Sequence, residues 1–261
     1  EAKVEISESK TMNHSRNSLR FEWLWQMLIR PGKTLARILE VPKANWQTPL
    51  LCLAVAGIVE VIVAGPIKKA AIELGSNLPP GFEYYSPEQQ QQFMQAQASQ
   101  TSALFLYVFP IVGTLLGIWI SWFLLRSFLH LSLTLAGSRG KNILSGNLAA
   151  WASVPLILRS IVHIVYMLAS GSAITARGLS GMVTAANGGG QFVSALLALV
   201  DIYLVWQVVL ILIGSEKISG LPRLKAWGAS LAAVVVLLLL QALPAFIGAQ
   251  LSGLSMTRMF F

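Results

Sequence analysis

Glu60, Arg159 and Asp201 are charged residues standing inside apolar stretches of a 261-residue chain, and His163 follows Arg159 by one helical turn. A charge within hydrocarbon costs about 2.5–3.5 kcal/mol on insertion scales unless it is paired or hydrated. Two carboxylates, a guanidinium and an imidazole can do two kinds of work in that setting. They can pass ions or protons along a pathway, or they can neutralise one another and fix how helices assemble. Counted from one side of the membrane, Glu60 lies about 11 residues into its stretch, and Arg159 and Asp201 about 13. At about 1.5 Å per residue the three depths agree within about 3 Å. The spacing predicts one buried charged layer of Glu60, Arg159, Asp201 and His163, in which a single arginine meets both carboxylates. Gln207, six residues beyond Asp201, could enlarge it. The clasp is preferred to the pathway. Five spans cannot divide into two equal inverted repeats, and no pair of broken helices of the transporter type is evident.

Complete catalytic or cofactor sets are missing. Gly32-Lys33-Thr34 looks like the end of a phosphate-binding loop, but Met27 stands where its first glycine is needed, and no strand precedes it. Gly178-Leu179-Ser180-Gly181 resembles the serine motif of rhomboid intramembrane proteases. Their catalytic histidine comes later in the chain, whereas His14, His130 and His163 all precede Ser180. A serine without its base is inert. The one cysteine, Cys52, cannot form an intramolecular disulfide, and no Cys/His metal spacing or HExxH exists. These absences predict a non-enzymatic protein with no cofactor and no metal.

The elements that must position the charges are membrane spans. The chain is 55% hydrophobic and 11% charged, against about 25% charged in a soluble domain. So few charges cannot cover a water-facing surface, which makes lipid the solvent. Five apolar stretches reach or approach the ~20 residues that cross hydrocarbon as a helix. They run from about Pro49 to Gly65, Ser102 to Leu125, Gly146 to Ala169, Gln191 to Gly214 and Trp227 to Leu251. Pro155 predicts a kink in the third. Gly113-Thr114-Leu115-Leu116-Gly117 in the second lets another helix approach closely. Packing within the bundle is preferred for it, with dimerisation as the alternative.

Ahead of the spans, Phe21, Leu24, Trp25, Leu28 and Ile29 recur at helical spacing, and Pro31 breaks or restarts the helix. This segment is too short and polar to span. It predicts an interfacial amphipathic helix with Trp23, Trp25 and Trp46 as anchors at headgroup level. A helix docked on a partner protein is the rival reading. Between spans one and two, Ser86-Pro87-Glu88-Gln89 predicts a helix start, and a glutamine-rich helix runs on into span two. The fold class is therefore an all-α integral membrane protein with five transmembrane helices preceded by an interfacial amphipathic helix. Residues 1–18 form a polar, disordered tail, 19–48 the interfacial segment, 49–251 the five-span domain and 252–261 a short C-terminal tail.

Lys and Arg distribution gives the orientation. Eight lie in the N-terminal segment, three between spans two and three (Arg126, Arg139, Lys141) and three between spans four and five (Lys217, Arg223, Lys225). The opposite side holds four: Lys68, Lys69, Arg177 and Arg258. The N-terminus is expected in the cytoplasm and the C-terminus outside. The formal charge of +8 is explained by basic residues flanking the spans, beside anionic lipid. No nucleic-acid partner is expected.

The order of several loose motifs resembles the Yip domain family, the Ypt/Rab-interacting proteins and their bacterial relatives, over roughly residues 21–251. The matching pieces are Trp25–Pro31, Trp46-Gln47-Thr48-Pro49-Leu50 entering span one, Ala149–Pro155 opening span three, Trp206 in span four and Lys225-Ala226 opening span five. The resemblance implies a five-helix membrane protein with a cytoplasmic N-terminus and no catalysis. Eukaryotic members act in vesicle traffic with small GTPases, and some bacterial members help ABC-type efflux systems assemble. This chain lacks a long cytoplasmic N-terminal domain, which argues against GTPase contact, and a bacterial-type member is expected. The expected function is an accessory or assembly subunit of a larger complex in the plasma (inner) membrane, with other membrane subunits or further copies of the chain as partners. The alternative is a small ion-coupled transporter or channel that uses the charged layer.

Overall fold

The computed structural model describes residues 19–40, 43–73, 81–174, 178–182 and 189–257. The expected tail over 1–18, Arg177 and the end of the chain from 258, including Arg258, lie outside the described residues. Those described form helices, turns and loops, with no strand among them. In chain order the helices are α1 (Glu22–Ile29), α2 (Pro31–Glu40), α3 (Gln47–Glu73), α4 (Pro87–Gln100), α5 (Phe109–Leu135), α6 (Asn142–Trp151), α7 (Val154–Ser170), α8 (Gly189–Leu197), α9 (Ile202–Ser219) and α10 (Arg223–Thr257). Five are long and apolar enough to cross a membrane when α6 and α7 are taken together: Gln47–Glu73, Leu104–Leu135, Asn142–Ser170, Ile202–Ser219 and Arg223–Gly248.

The spans close into a ring. Span one (α3) packs on span two (α5) and on α7 of span three; α7 packs on span four (α9), α9 on span five (α10), and α10 returns to α5. Each span turns a wide apolar surface outward, as expected where the solvent is hydrocarbon. The best-packed part lies towards the basic end, where Leu129, Leu148, Trp151, Leu210 and Ile211 are buried.

Local chemistry explains the irregularities. Pro110 has no N–H to give the carbonyl four residues back. The preceding turn, Leu104–Val108, widens to a π-helix, and Phe109 N–H reaches back to Leu104 O. Pro155 likewise has no donor for Trp151, and the third span is interrupted between α6 and α7 rather than simply kinked. Pro31 opens α2, where a missing N–H costs nothing. The helix start at Ser86 is a full capping box: Gln89 N–H donates to Ser86 Oγ (3.3 Å), and Ser86 N–H to Gln89 Oε1 (3.1 Å).

Four expectations are corrected. The fourth span is not one helix from Gln191 to Gly214. It is α8, a turn, and α9, with Asp201 extended (φ −141°, ψ 177°) at the N-cap of α9. Its side chain offers the α9 backbone a cap that competes with helix continuation.

The tryptophans are not three headgroup anchors. Trp25 is 67% exposed, but Trp23 is 4% exposed and its ring lies 5.8 Å from that of Trp151. Trp46 stacks 4.7 Å from Trp122. The α1–α2 segment docks on its own bundle, with α2 against α9 and α6, and these rings fill the joint.

Gly113 and Gly117 do not mediate close packing within the bundle, for a Cβ on either would meet nothing within 4 Å. The close approaches are at Gly57, where a Cβ would fall 2.7 Å from Thr114 Cγ2, at Gly65 against the Tyr107 ring and at Gly214 against Leu148. Finally, α10 continues through Thr257, past the position where a tail was expected to begin.

A charged cavity at the centre of the bundle

Inside the ring is a cavity of about 520 Å³ lined by all five spans. Glu60, Arg159, His163 and Asp201 all face it, together with Gln207, which is buried. Its apolar walls come from residues such as Leu53, Ile118, Leu156 and Leu237. The charged groups are thus shared between an open cavity and protein, which lowers the cost of placing them in the membrane.

Two pairs form there. Arg159 Nη1 donates to Asp201 Oδ2 at 3.2 Å, joining spans three and four. His163 Nδ1 lies 3.0 Å from Glu60 Oε1, joining spans three and one. The expectation that one arginine meets both carboxylates is therefore replaced by two separate pairings. Arg159 and His163 are four residues apart on one face of α7, so each reaches a different neighbouring helix. Asp201 also serves the backbone, for its Oδ1 accepts from Leu204 N–H at 2.7 Å and caps α9.

The turn between α8 and α9 interrupts the helical ladder, with Val200 N–H bonding back to Leu197 O (3.1 Å) and Val200 O left to a partner outside the helix. The loop after α7 supplies the donor. Leu179 N–H is shared between Leu197 O (2.9 Å) and Val200 O (3.1 Å). Gly178 makes this approach possible: its φ is +55°, and a Cβ there would fall 2.6 Å from Val200 O and 2.7 Å from Leu197 O. The Gly178-Leu179-Ser180-Gly181 motif therefore closes the broken helix. Gly178 and Ala173 of this loop, with the exposed Lys68, line the end of the cavity away from the basic side.

At the other end, a polar lock fixes the N-terminal segment. Asn45 N–H donates to Asn147 Oδ1 (3.1 Å), Asn147 Nδ2 to Lys43 O (2.8 Å), and Trp151 Nε1 to Asn45 Oδ1 (3.1 Å). Asn147 and Trp151 are fully buried. None of the three stood out in the sequence. An asparagine one turn from a tryptophan inside an apolar span was the available signal. Gln241 Nε2 donates to Ser121 Oγ (2.8 Å) and ties span five to span two at the cavity wall. Among the described residues, no cluster of three or more His, Cys, Asp or Glu side chains could hold a metal.

Ring, cavity and charged pairs define a polytopic helical membrane protein with a polar interior. The sequence model of the Yip1 domain matches residues 25–245, and the chain belongs to that family. Comparison with curated proteins and with solved structures gave no match.

Proposed function

We propose that this chain is a non-enzymatic accessory or assembly subunit of a larger membrane complex, of the bacterial type, in the plasma (inner) membrane. The observation that carries this reading is the internal pairing of the charges. Arg159 with Asp201, and His163 with Glu60, tie spans one, three and four together, which is what a clasp needs. The segments at the basic end hold fourteen of the nineteen Lys and Arg residues, which supports a cytoplasmic N-terminus. Two surfaces would serve a partner: the outward row Phe21, Trp25 and Ile29 of the N-terminal segment, and α4, which buries no residue and is held to span one by Gln97 Nε2 donating to Ile72 O (2.9 Å). An ABC-type efflux transporter is the partner class proposed. Co-purification from native membranes in mild detergent tests it. Retention of transporter subunits in fixed stoichiometry is expected, and a chain that always runs alone would overturn it.

The 520 Å³ cavity favours a second reading, a small transporter or channel using the charged groups. In reconstituted liposomes that reading requires a solute or ion flux abolished by Glu60→Gln or Asp201→Asn. Leakage unchanged by both substitutions would eliminate it.

A further inference from the structure

We infer that the central cavity is a binding site for an amphipathic organic anion, with a carboxylate or phosphate head on Arg159 and an apolar body along the cavity wall. The guanidinium carries five N–H donors. The structure shows one protein acceptor for it, Asp201 Oδ2. Its side chain is 32% exposed, and Arg159 lines the cavity. No guanidinium nitrogen is among the buried atoms left without a partner, so the remaining donors keep accessible surface. Arginine's planar fork matches the two oxygens of a carboxylate or phosphate.

Asp201 uses one oxygen on Arg159 and the other on the α9 backbone, and Glu60 is engaged by His163. The first turn of α9 begins beside Asp201 and adds the positive end of its dipole. Lys68 lines the cavity eight residues, about 12 Å, above Glu60 on the same helix, and is exposed. It supplies a cation at the mouth to draw an anion inward. The walls on either side of the charged groups are apolar, including Leu53, Ile118, Leu156 and Leu237. The volume falls within the usual range of small-molecule sites, about 300–1,000 Å³. A bare inorganic anion would leave those walls unused.

The inference is independent of the assembly reading and supplies the transport reading with a cargo class. It is tested on the isolated full chain in neutral maltoside detergent, with neither partner nor gradient, so its failure is separable from theirs. Calorimetric titration with octyl phosphate and with octanoate should saturate at one site. Inorganic phosphate and acetate should bind at least about tenfold more weakly, since they lack the buried methylenes. Octyltrimethylammonium should not saturate. Arg159→Lys, which keeps the charge and the Asp201 partner but not the fork, should weaken octyl phosphate by about tenfold or more. The neutral pair Arg159→Gln with Asp201→Asn, checked for cooperative thermal unfolding in the same detergent, should abolish saturation. Displacement of octyl phosphate by phosphatidic acid would assign the head to a lipid, and its failure to displace would assign it to a free amphiphile. Octyl phosphate binding unchanged in both variants, equal binding of the cationic probe, or no saturable binding at all would overturn the proposal.

Discussion

Asp201 does two things with two oxygens, and the two can be separated by substitution. Asp201→Asn keeps an Oδ1 acceptor for Leu204 N–H and so keeps the α9 cap, but removes the charge that faces Arg159. Asp201→Ala removes both. A cap is worth about 1 kcal/mol. Breaking a fully buried ion pair costs about 3–5 kcal/mol, and an exposed pair is worth about 0.2–1 kcal/mol. The side chains of Arg159 and Asp201 are 32% and 17% exposed, between those limits, so losing the pair should cost about 2 kcal/mol. Asp201→Asn is therefore expected to destabilise by about 2 kcal/mol and Asp201→Ala by about 3 kcal/mol. The assay is reversible unfolding in mixed maltoside and dodecyl sulfate micelles, followed by tryptophan fluorescence. In an Arg159→Leu background the cost of Asp201→Asn should fall close to zero, because the charge it removes no longer has a partner. Equal costs in both backgrounds, to within about 0.5 kcal/mol, would show that the two residues are not coupled and refute the reasoning.

Other expectations follow from the packing. Gly65→Ala drives a methyl into the Tyr107 ring and Gly214→Ala into Leu148, so each should cost about 1–3 kcal/mol in the same unfolding assay, whereas Gly113→Ala, with nothing within 4 Å, should be neutral or slightly stabilising. Trp151→Ala empties a fully buried site and orphans the Asn45 side of the polar lock, with an expected loss of about 3–5 kcal/mol and release of the α1–α2 segment to protease. His163→Phe should loosen α3 from α7, lowering the midpoint of thermal unfolding, and Glu60→Gln, which can still accept from His163, should lower it less. With Cys52 replaced, a cysteine at Lys68 should react with an impermeant maleimide from outside intact cells, and one at Lys33 should not, if the basic end is cytoplasmic.

The spans were legible because hydrocarbon imposes length and apolarity on every helix that crosses it, and both are written in composition. Counting along a helix gives height, and Glu60, Arg159, His163 and Asp201 line one cavity. Azimuth was not legible. Height alone cannot say that Arg159 turns to span four while His163, a turn away, turns to span one. The same ambiguity hid the roles of Trp23, Trp46 and the Gly113/Gly117 pair. In a membrane protein both the lipid face and the protein face are apolar, so periodicity does not tell which is which. The break at Asp201 had no glycine or proline to announce it. Its only signal was an N-cap residue type set in an apolar run, Leu199-Val200-Asp201-Ile202. The Gly178 loop that closes the break is distant in sequence, and nothing local marks the pairing.

If the four charged groups are held in two specific pairs, their separations in a bilayer reveal it most directly. Solid-state NMR on isotope-labelled full-length protein in lipid can measure the distance from the Arg159 guanidinium nitrogens to the Asp201 carboxylate carbon, and from His163 Nδ1 to that of Glu60. Hydrogen-bonded pairs with nitrogen–oxygen distances of 3.2 Å and 3.0 Å should give strong dipolar dephasing for both. Absence of dephasing in either, with the guanidinium or imidazole exchanging freely with water, would contradict the clasp and the site built on it.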